Sequence, residues 1–113
     1  MPYISLSTSC KLTPEKREAV KAAFGRLISI IPGKSESGLM VDIADGRAMY
    51  MRGEAVDTAF LDIRLFGGAS LEAKQKLTAE LFMMLEDTLG LDKNNVYMTY
   101  GEYPNWGLRG SLV

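Results

Sequence analysis

Four segments of the chain have the composition and patterning of β-strands. In the first, residues 3–8, Ile4 and Leu6 alternate with polar or aromatic residues, which is typical of a strand with one buried face. The same alternation recurs in 39–44 and 59–66. We therefore predict four strands, at 3–8, 39–44, 59–66 and 95–101.

Between these strands, hydrophobic residues recur at the spacing of an α-helix. The first helix is predicted to begin with Thr13 as its N-cap, Pro14 at the first helical position and Glu15 in the first turn. Pro32-Gly33 is predicted to end it. Its apolar face consists of Val20, Phe24, Leu27, Ile28 and Ile31.

The second helix is predicted to follow the Gly67-Gly68 turn. Ser70 is its expected N-cap, and it runs to about Leu89, where Gly90 ends it. Its apolar face consists of Leu77, Leu81, Met84, Leu85 and Thr88.

Two shorter strands are also predicted. Asp45-Gly46 has the composition of a tight turn and leads into the first, at 49–51. The tail segment 104–108 contains the second. The strand at 49–51 would lie at a sheet edge, which assembly with other copies of the chain would cover.

The two halves of the chain repeat each other at a constant spacing of 57 residues. Caps and glycine stops match as well as hydrophobic positions, so strand, capped helix, glycine and strand occur twice. Each half is then a βαβ unit with parallel strands and a right-handed crossover. The equivalent pairs are Ile4 and Leu61, Leu6 and Ile63, Thr13 and Ser70, Glu15 and Glu72, Val20 and Leu77, Phe24 and Leu81, Gly33 and Gly90, and Leu39 and Val96.

These elements predict an α+β fold in a single domain, residues 1–113. Two βαβ units would form a four-stranded sheet with both helices on one face. The other face is mixed in character, which fits either an open sheet wetted by water or sheets of several copies closing around a polar centre. Asp62 and Arg64 are predicted to line that centre rather than to take part in catalysis. The residues of this face are Tyr3, Ser5, Ser7, Met40, Asp42, Asp62, Arg64, Tyr97 and Thr99.

The composition excludes several classes of function. The chain contains no histidine, so Ser-His catalysis, Cys-His catalysis and histidine metal sites are ruled out. Cys10 is the one cysteine, and no intrachain disulfide can form. The formal net charge of −1 does not indicate the excess of positive charge that is typical of nucleic-acid-binding proteins. No apolar run is long enough to span a membrane. Because the N-terminus lacks the features of a signal peptide, we expect a cytoplasmic protein, or one exported without a signal peptide.

The second residue offers an unusual base. If Met1 is removed, Pro2 becomes the first residue, and its nitrogen is a free secondary amine held at the tip of a strand. No other group in the chain is placed to act as a base of this kind. We therefore expect the function of the protein to depend on the Pro2 nitrogen.

The whole chain resembles the macrophage migration inhibitory factor family of the tautomerase superfamily. The resemblance rests on the terminal Met1-Pro2, the repeated βαβ unit, Gly33-Lys34 after the first helix, the segment 96–100 (Val-Tyr-Met-Thr-Tyr) and the ending 106–111 (Trp-Gly-Leu-Arg-Gly-Ser). It implies a homotrimer with pockets between subunits around a central channel. It also implies keto–enol tautomerisation of small aromatic 2-keto acids such as phenylpyruvate, without a metal or other cofactor.

The resemblance assigns roles to six residues. Pro2 is the expected catalytic acid and base, and Lys34 holds the substrate carboxylate. The remaining residues are expected to bind substrate: Ile63 as an apolar wall, Tyr97 from the neighbouring subunit, and Trp106 and Leu108 as the rim.

The chain also departs from the pattern of the mammalian cytokine. Thr99 replaces an asparagine and Leu108 replaces a tryptophan. Gly38 stands near the position of a tyrosine, so the pocket wall at that position is expected to be more open. The ending lacks the usual phenylalanine, and the C-x-x-C motif is missing. These departures affect the expected substrate preference more than the reaction type.

Two other functions remain open on the sequence. One is a cytokine-like binding or signalling trimer with a vestigial pocket, whose host receptor is unknown. The other is an isomerase of the superfamily that acts on a ring-fission dienol acid. A second cation in the pocket, for which Arg109 is the candidate, would favour the latter because its substrate is a diacid.

Overall fold

Two helices pack on one face of a four-stranded sheet. The computed structural model describes residues 1–113. The strands of the sheet are β1 (Pro2–Thr8), β2 (Met40–Ala44), β3 (Ala59–Phe66) and β4 (Val96–Tyr103). The helices are α1 (Pro14–Leu27) and α2 (Leu71–Leu89), and a small hairpin follows, formed by β5 (Gly107–Leu108) and β6 (Ser111–Leu112).

The strand order is β2-β1-β3-β4, which makes β1 and β3 the central strands. β1 pairs parallel with β2, and β3 pairs parallel with β4. β1 and β3 pair antiparallel and join the two halves. The two predicted βαβ units are therefore confirmed.

The repeat extends to the pairing register. Tyr3 pairs with Met40 in the first half, and Phe60 pairs with Tyr97 at the equivalent positions of the second half. The two caps match as well. Thr13 Oγ1 accepts a hydrogen bond of 3.1 Å from the Lys16 amide, and Ser70 Oγ accepts one of 3.1 Å from the Ala73 amide.

The core lies between the sheet and the helices. Each strand alternates, so its inward positions contact the helices and its outward positions are left uncovered. Burial of each large aliphatic side chain in this layer contributes roughly 1.5–3 kcal/mol. The fully buried residues include Ile4, Leu6, Phe24, Leu61, Ile63, Leu65, Leu77, Leu81 and Leu85.

The first helix ends earlier than predicted. α1 stops at Leu27, and the chain continues as a tighter 3₁₀ turn, Ile28–Ile30. Ile31 is already extended, with ψ of 116°, because a residue that precedes proline is disfavoured in the helical region. Pro32 therefore acts through the residue before it. α2 ends at Gly90 as predicted, with Gly90 at φ of 66°.

The predicted strand at 49–51 does not form. Met51 and Glu54 make an isolated bridge, with hydrogen bonds of 3.0 and 2.9 Å around a turn at Arg52 and Gly53. Both turn residues have positive φ, 52° and 77°, as a two-residue hairpin turn requires. The segment has no neighbouring strand within this chain to extend the bridge. The predicted tail strand is present as β5, paired with β6.

The outward face of the sheet has the mixed character that the sequence predicts. Met40 is 66% exposed and Tyr97 62% exposed on this face. Tyr3 Oη donates a hydrogen bond of 3.0 Å to Asp42 Oδ2 across the parallel pair. Neither helix combines the length and hydrophobicity that a membrane-spanning segment needs.

Candidate functional site

A cavity of about 470 Å³ lies at the end of the sheet where β1 begins. Pro2 is buried in its wall, at the tip of a central strand, and pairs with Leu65 of β3. The wall combines the chain start, the end of β3, the segment before β2 and the tail. Its lining residues are Met1, Pro2, Tyr3, Gly38, Met40, Arg64, Tyr103, Asn105, Trp106, Gly107 and Leu108.

Aromatic rings form one side of the cavity. The Trp106 ring lies 6.2 Å from Tyr103 and 6.4 Å from Phe66, measured between ring centroids, with tilted or edge-on packing. Such pairs fix each other's orientation. Trp106, in the tail after β4, is therefore held by Phe66 and Tyr103 and remains partly exposed to the cavity.

Lys34 lies at the edge of the cavity rather than in its lining. Its ammonium donates a hydrogen bond of 2.9 Å to the Phe66 carbonyl oxygen, and the Phe66 amide donates one of 3.2 Å to the Met1 carbonyl. Lys34 is thereby anchored beside the chain start. Burial, and next the charge of Lys34, hold the pKa of the Met1 amine below its usual value.

A second cation, Arg64, lines the cavity directly. It lies opposite Tyr3 in the antiparallel pair, and its guanidinium carbon is 5.6 Å from the centroid of the Tyr3 ring. Asp62 is its ion-pair partner, at 3.0 Å. Hydrogen bonding to Asp62 raises the pKa of Arg64, so the guanidinium stays charged. The sequence predicts only that Arg64 lines the polar centre of an assembly. It does not predict that Arg64 shares a cavity with Pro2.

Gly38 leaves one wall open. A Cβ atom at this position would have the Pro2 ring as its nearest neighbour, 3.9 Å from Pro2 Cδ. Any larger side chain here would begin in contact with the proline. The opening that the sequence predicts at Gly38 is therefore adjacent to the proposed base.

The structure brings together some of the predicted site residues. Pro2, Trp106 and Leu108 share the cavity, and Lys34 lies at its edge. Tyr97 pairs with Phe60 at the opposite end of the sheet, so within one chain it is far along β4 from Pro2. Its predicted contribution to a neighbour's pocket stays a prediction.

Ile63 does not form the apolar wall that the resemblance implies. It has an exposure of 0% and belongs to the core between sheet and helices. The reason is strand parity, since Ile63 shares its face with Leu61 and Leu65. The residues of β3 with the opposite parity are Phe60, Asp62, Arg64 and Phe66, and of these Arg64 lines the cavity.

Arg109 is not the second cation of the cavity. It occupies the turn between β5 and β6 with φ of 52°, outside the lining residues. Arg64 fills that description instead. Sequence reasoning missed Arg64 and Tyr103 as cavity residues, although the alternation of β3 and the parallel pairing of β3 with β4 place them at this end of the sheet. The chain has no group of three or more His, Cys, Asp or Glu side chains that could hold a metal ion.

Comparison with known proteins gives consistent matches over the full chain. The sequence model of the macrophage migration inhibitory factor (MIF) family matches residues 1–113. A macrophage migration inhibitory factor homologue of Trichuris trichiura is 28% identical over 113 residues, covering 100% of this chain and 94% of that protein.

Two solved structures have the same fold. Leishmania major MIF2 superposes with a TM-score of 0.92 at 20% identity, covering 100% of this chain and 97% of the other. Pt0534 inactivated by 2-oxo-3-pentynoate superposes with a TM-score of 0.86 at 18% identity, covering 96% of this chain and 93% of the other.

Proposed function

Since the chain belongs to the macrophage migration inhibitory factor family, we propose that it is a cofactor-independent keto–enol tautomerase whose base is the Pro2 amine, exposed by removal of Met1. The proposed substrate is a small aromatic 2-keto acid of the phenylpyruvate type. The observation that carries this proposal is the position of Pro2, buried at the tip of a central strand in the wall of a cavity with an aromatic side.

The surroundings of the chain start favour an unprotonated amine. Burial and Lys34 hold the pKa of the Met1 amine below its usual value. Pro2 is the next residue and is itself buried. The same two causes would therefore lower the pKa of the prolyl amine, because both penalise its charged form. A base with a pKa near the working pH is the most effective one.

The proposed reaction moves one proton from carbon to oxygen. The Pro2 nitrogen takes a proton from C3 of the substrate, and the released electron pair forms the C2–C3 double bond. The carbonyl π electrons move onto the oxygen, which takes a proton from solvent, and Pro2 returns its own proton to solvent. The reverse reaction delivers a proton from Pro2 to C3. No electrons are gained or lost, so neither oxidant nor reductant is needed.

Lys34 at the edge of the cavity and Trp106 in its lining suit an aromatic 2-keto acid. Lys34 is a compact positive charge that would attract the substrate carboxylate. Trp106, packed edge-on against Tyr103, offers an apolar ring surface for an aryl group. The volume of about 470 Å³ lies within the roughly 300–1,000 Å³ of small-molecule sites.

The proposal includes a homotrimer with its pockets between subunits. The outward sheet face carries Met40 and Tyr97, both mostly exposed in the single chain. A closed assembly would cover such side chains and the free edges of β2 and β4. It would also bring Tyr97 of one subunit to the cavity of the next, which a single chain cannot do.

The proposal is tested by intact mass and enol–keto conversion of phenylpyruvate on one sample. A mass short by one methionine, turnover of phenylpyruvate, and loss of turnover in Pro2→Gly are expected. Demethionylated protein that turns over no aryl pyruvate would refute the proposed activity. That result would favour a cytokine-like trimer that acts through its surface.

A further inference from the structure

Arg64 is a cation in the cavity wall that the proposed reaction does not use. It lies opposite Tyr3, one position along the register from the pair of Pro2 and Leu65. Its side chain is 50% exposed although it makes an ion pair, so part of the guanidinium faces open space. Lys34 approaches the chain start from the loop after α1 and Arg64 from the sheet, so two separately held positive charges flank the same site.

The ion pair fixes Arg64 without using all of its donors. Nε donates to the two Asp62 carboxylate oxygens at 3.4 and 3.3 Å, and Nη2 donates to Oδ2 at 3.0 Å. Asp62 thus occupies the side of the guanidinium formed by Nε and Nη2. Nη1 makes no hydrogen bond to the protein, so the end formed by Nη1 and Nη2 still has donors for a carboxylate.

The Tyr3 ring adds a second support. The guanidinium carbon lies 5.6 Å from its centroid, a distance at which a cation is attracted to an aromatic face. Tyr3 is itself held by its hydrogen bond to Asp42. An arginine supported by a carboxylate and a ring loses little freedom when it binds a ligand, which favours directional recognition over a loose charge interaction.

We propose that Arg64 binds a second anionic group of the substrate, and that the preferred substrate is an aryl 2-keto acid with a carboxylate on the ring. This inference rests on the proposed tautomerase function and specifies its substrate class. Lys34 takes the carboxylate next to the reacting carbonyl, and the free end of the Arg64 guanidinium takes the distal one. Asp62 acts as a positioning residue, because it orients Arg64 and does not touch the substrate.

The test compares two probes that differ in one carboxylate. Phenylpyruvate and 4-carboxyphenylpyruvate are assayed with the demethionylated wild-type protein, Arg64→Met and Arg26→Met. Arg26 is exposed in the last turn of α1, so Arg26→Met makes the same charge change away from the cavity. Wild-type protein is expected to prefer the diacid by roughly 10-fold or more in kcat/KM, the range of a charge-assisted hydrogen bond.

Arg64→Met is expected to remove this preference, with a far larger loss for the diacid than for phenylpyruvate, while Arg26→Met keeps it. Arg64→Lys should restore only part of it, because lysine is a point charge without the paired donors. Equal losses for both probes in Arg64→Met, or no preference in the wild type, would overturn the inference and leave Arg64 as a structural residue.

Calorimetric binding of the same two probes separates this inference from the proposed reaction. If both probes are turned over and Arg64→Met does not change their ratio of kcat/KM, the proposed tautomerase activity stands and the proposed diacid preference is refuted. If neither probe is turned over but the diacid binds in an Arg64-dependent way, the proposed tautomerase activity is refuted and the anion-binding role of Arg64 stands. Absence of both turnover and binding refutes both proposals.

Discussion

Ser5 pairs with Asp62 across the antiparallel strands β1 and β3, and Asp62 is also the counterpart of Ser5 in the internal repeat, 57 positions later. A residue and its own repeat equivalent lie opposite each other only where a two-fold axis passes between them. The sheet therefore has an approximate two-fold axis at the middle of its central strand pair.

The candidate site breaks this symmetry. The counterpart of Pro2 is Ala59, and that of Lys34 is the buried Leu91. The counterpart of Arg64 is Ser7. The repeat thus preserves the helix caps, the strand register and the core. The amine and the two cationic side chains of the candidate site, in contrast, occur at only one of its two equivalent ends. This one-sidedness is what a single reactive amine per chain requires.

Covalent labelling should identify the Pro2 amine. An amine nucleophile adds to C4 of 2-oxo-3-pentynoate, and the proton from nitrogen ends on C3, so the whole reagent is added to the protein. Demethionylated protein is expected to gain one reagent mass, located on Pro2 by peptide mass spectrometry, with activity lost in proportion. Protein that retains Met1 is the control, because its Pro2 nitrogen is an amide. Labelling that maps to Lys34 or Cys10 would contradict the assignment.

Replacement of Lys34 should move the pH profile as well as the rate. Burial, and next the charge of Lys34, hold the pKa of the Met1 amine below its usual value, and we expect both to act in the same way on the Pro2 amine. In Lys34→Gln the pKa of the base should therefore rise toward its ordinary value. The base form then appears only at higher pH, and the ascending limb of kcat/KM shifts in the alkaline direction. Loss of the carboxylate contact should also reduce kcat/KM about 10- to 100-fold.

The control for Lys34 is Lys76→Gln, an exposed lysine of α2. It removes the same charge away from the cavity and should leave the limb in place. A Lys34→Gln protein whose limb stays at the wild-type pH, or moves toward lower pH, would show that Lys34 does not tune the base.

Mixed assemblies should test the proposed pocket between subunits. Pro2→Gly and Tyr97→Ala are each expected to have low activity, the former without its base and the latter without the neighbour's tyrosine. When they are refolded together, about one quarter of the pockets combine Pro2 from one subunit with Tyr97 from the next, if mixing is random. Activity should rise toward that fraction. Activity with no gain on mixing would show that the pocket does not combine Pro2 of one subunit with Tyr97 of the next.

The two helix caps should contribute similarly to stability because they are equivalent in the repeat. Thr13→Ala and Ser70→Ala each remove the acceptor of a hydrogen bond of 3.1 Å at a helix N-terminus. Each is expected to cost about 1 kcal/mol. Thermal unfolding at one fixed protein concentration measures this, since the proposed assembly would make the midpoint concentration-dependent.

Lys16 Nζ donates to the Thr88 carbonyl oxygen at 2.7 Å, which places the start of α1 beside the end of α2. The two caps therefore lie at opposite ends of the helix pair, and their effects should add in the double variant. Thr78→Ser, which keeps a hydroxyl within α2, is a suitable control. A marked difference between the two cap variants would show that the halves are not energetically equivalent.

Most of the fold could be predicted because its signals are local. The alternation in β1 and β3, the caps Thr13 and Ser70 and the stop at Gly90 each depend on a few neighbouring residues. The repeat then supplied the topology. The predicted strand at 49–51 was wrong because a strand needs a partner, and no segment of the same chain offers one.

The site could be predicted only in part. Pro2, Trp106 and Leu108 follow from the resemblance, but Ile63, which the resemblance implies as an apolar pocket wall, is buried in the core on the same face of β3 as Leu61 and Leu65. Arg64 and Tyr103 both line the cavity because β3 and β4 pair in a register that places Arg64 opposite Gly101 and Phe66 opposite Tyr103. The repeat predicts this pairing, but no local pattern specifies its register.

Trp106 is the single tryptophan of the chain, and it lies in the cavity wall between Phe66 and Tyr103. The indole emission of the whole protein therefore originates at the candidate site. Occupancy by a molecule that does not absorb at the indole wavelengths can be followed by fluorescence without an added dye, in every variant that keeps this residue. The aromatic side of the cavity thus gives the protein its own optical probe of binding.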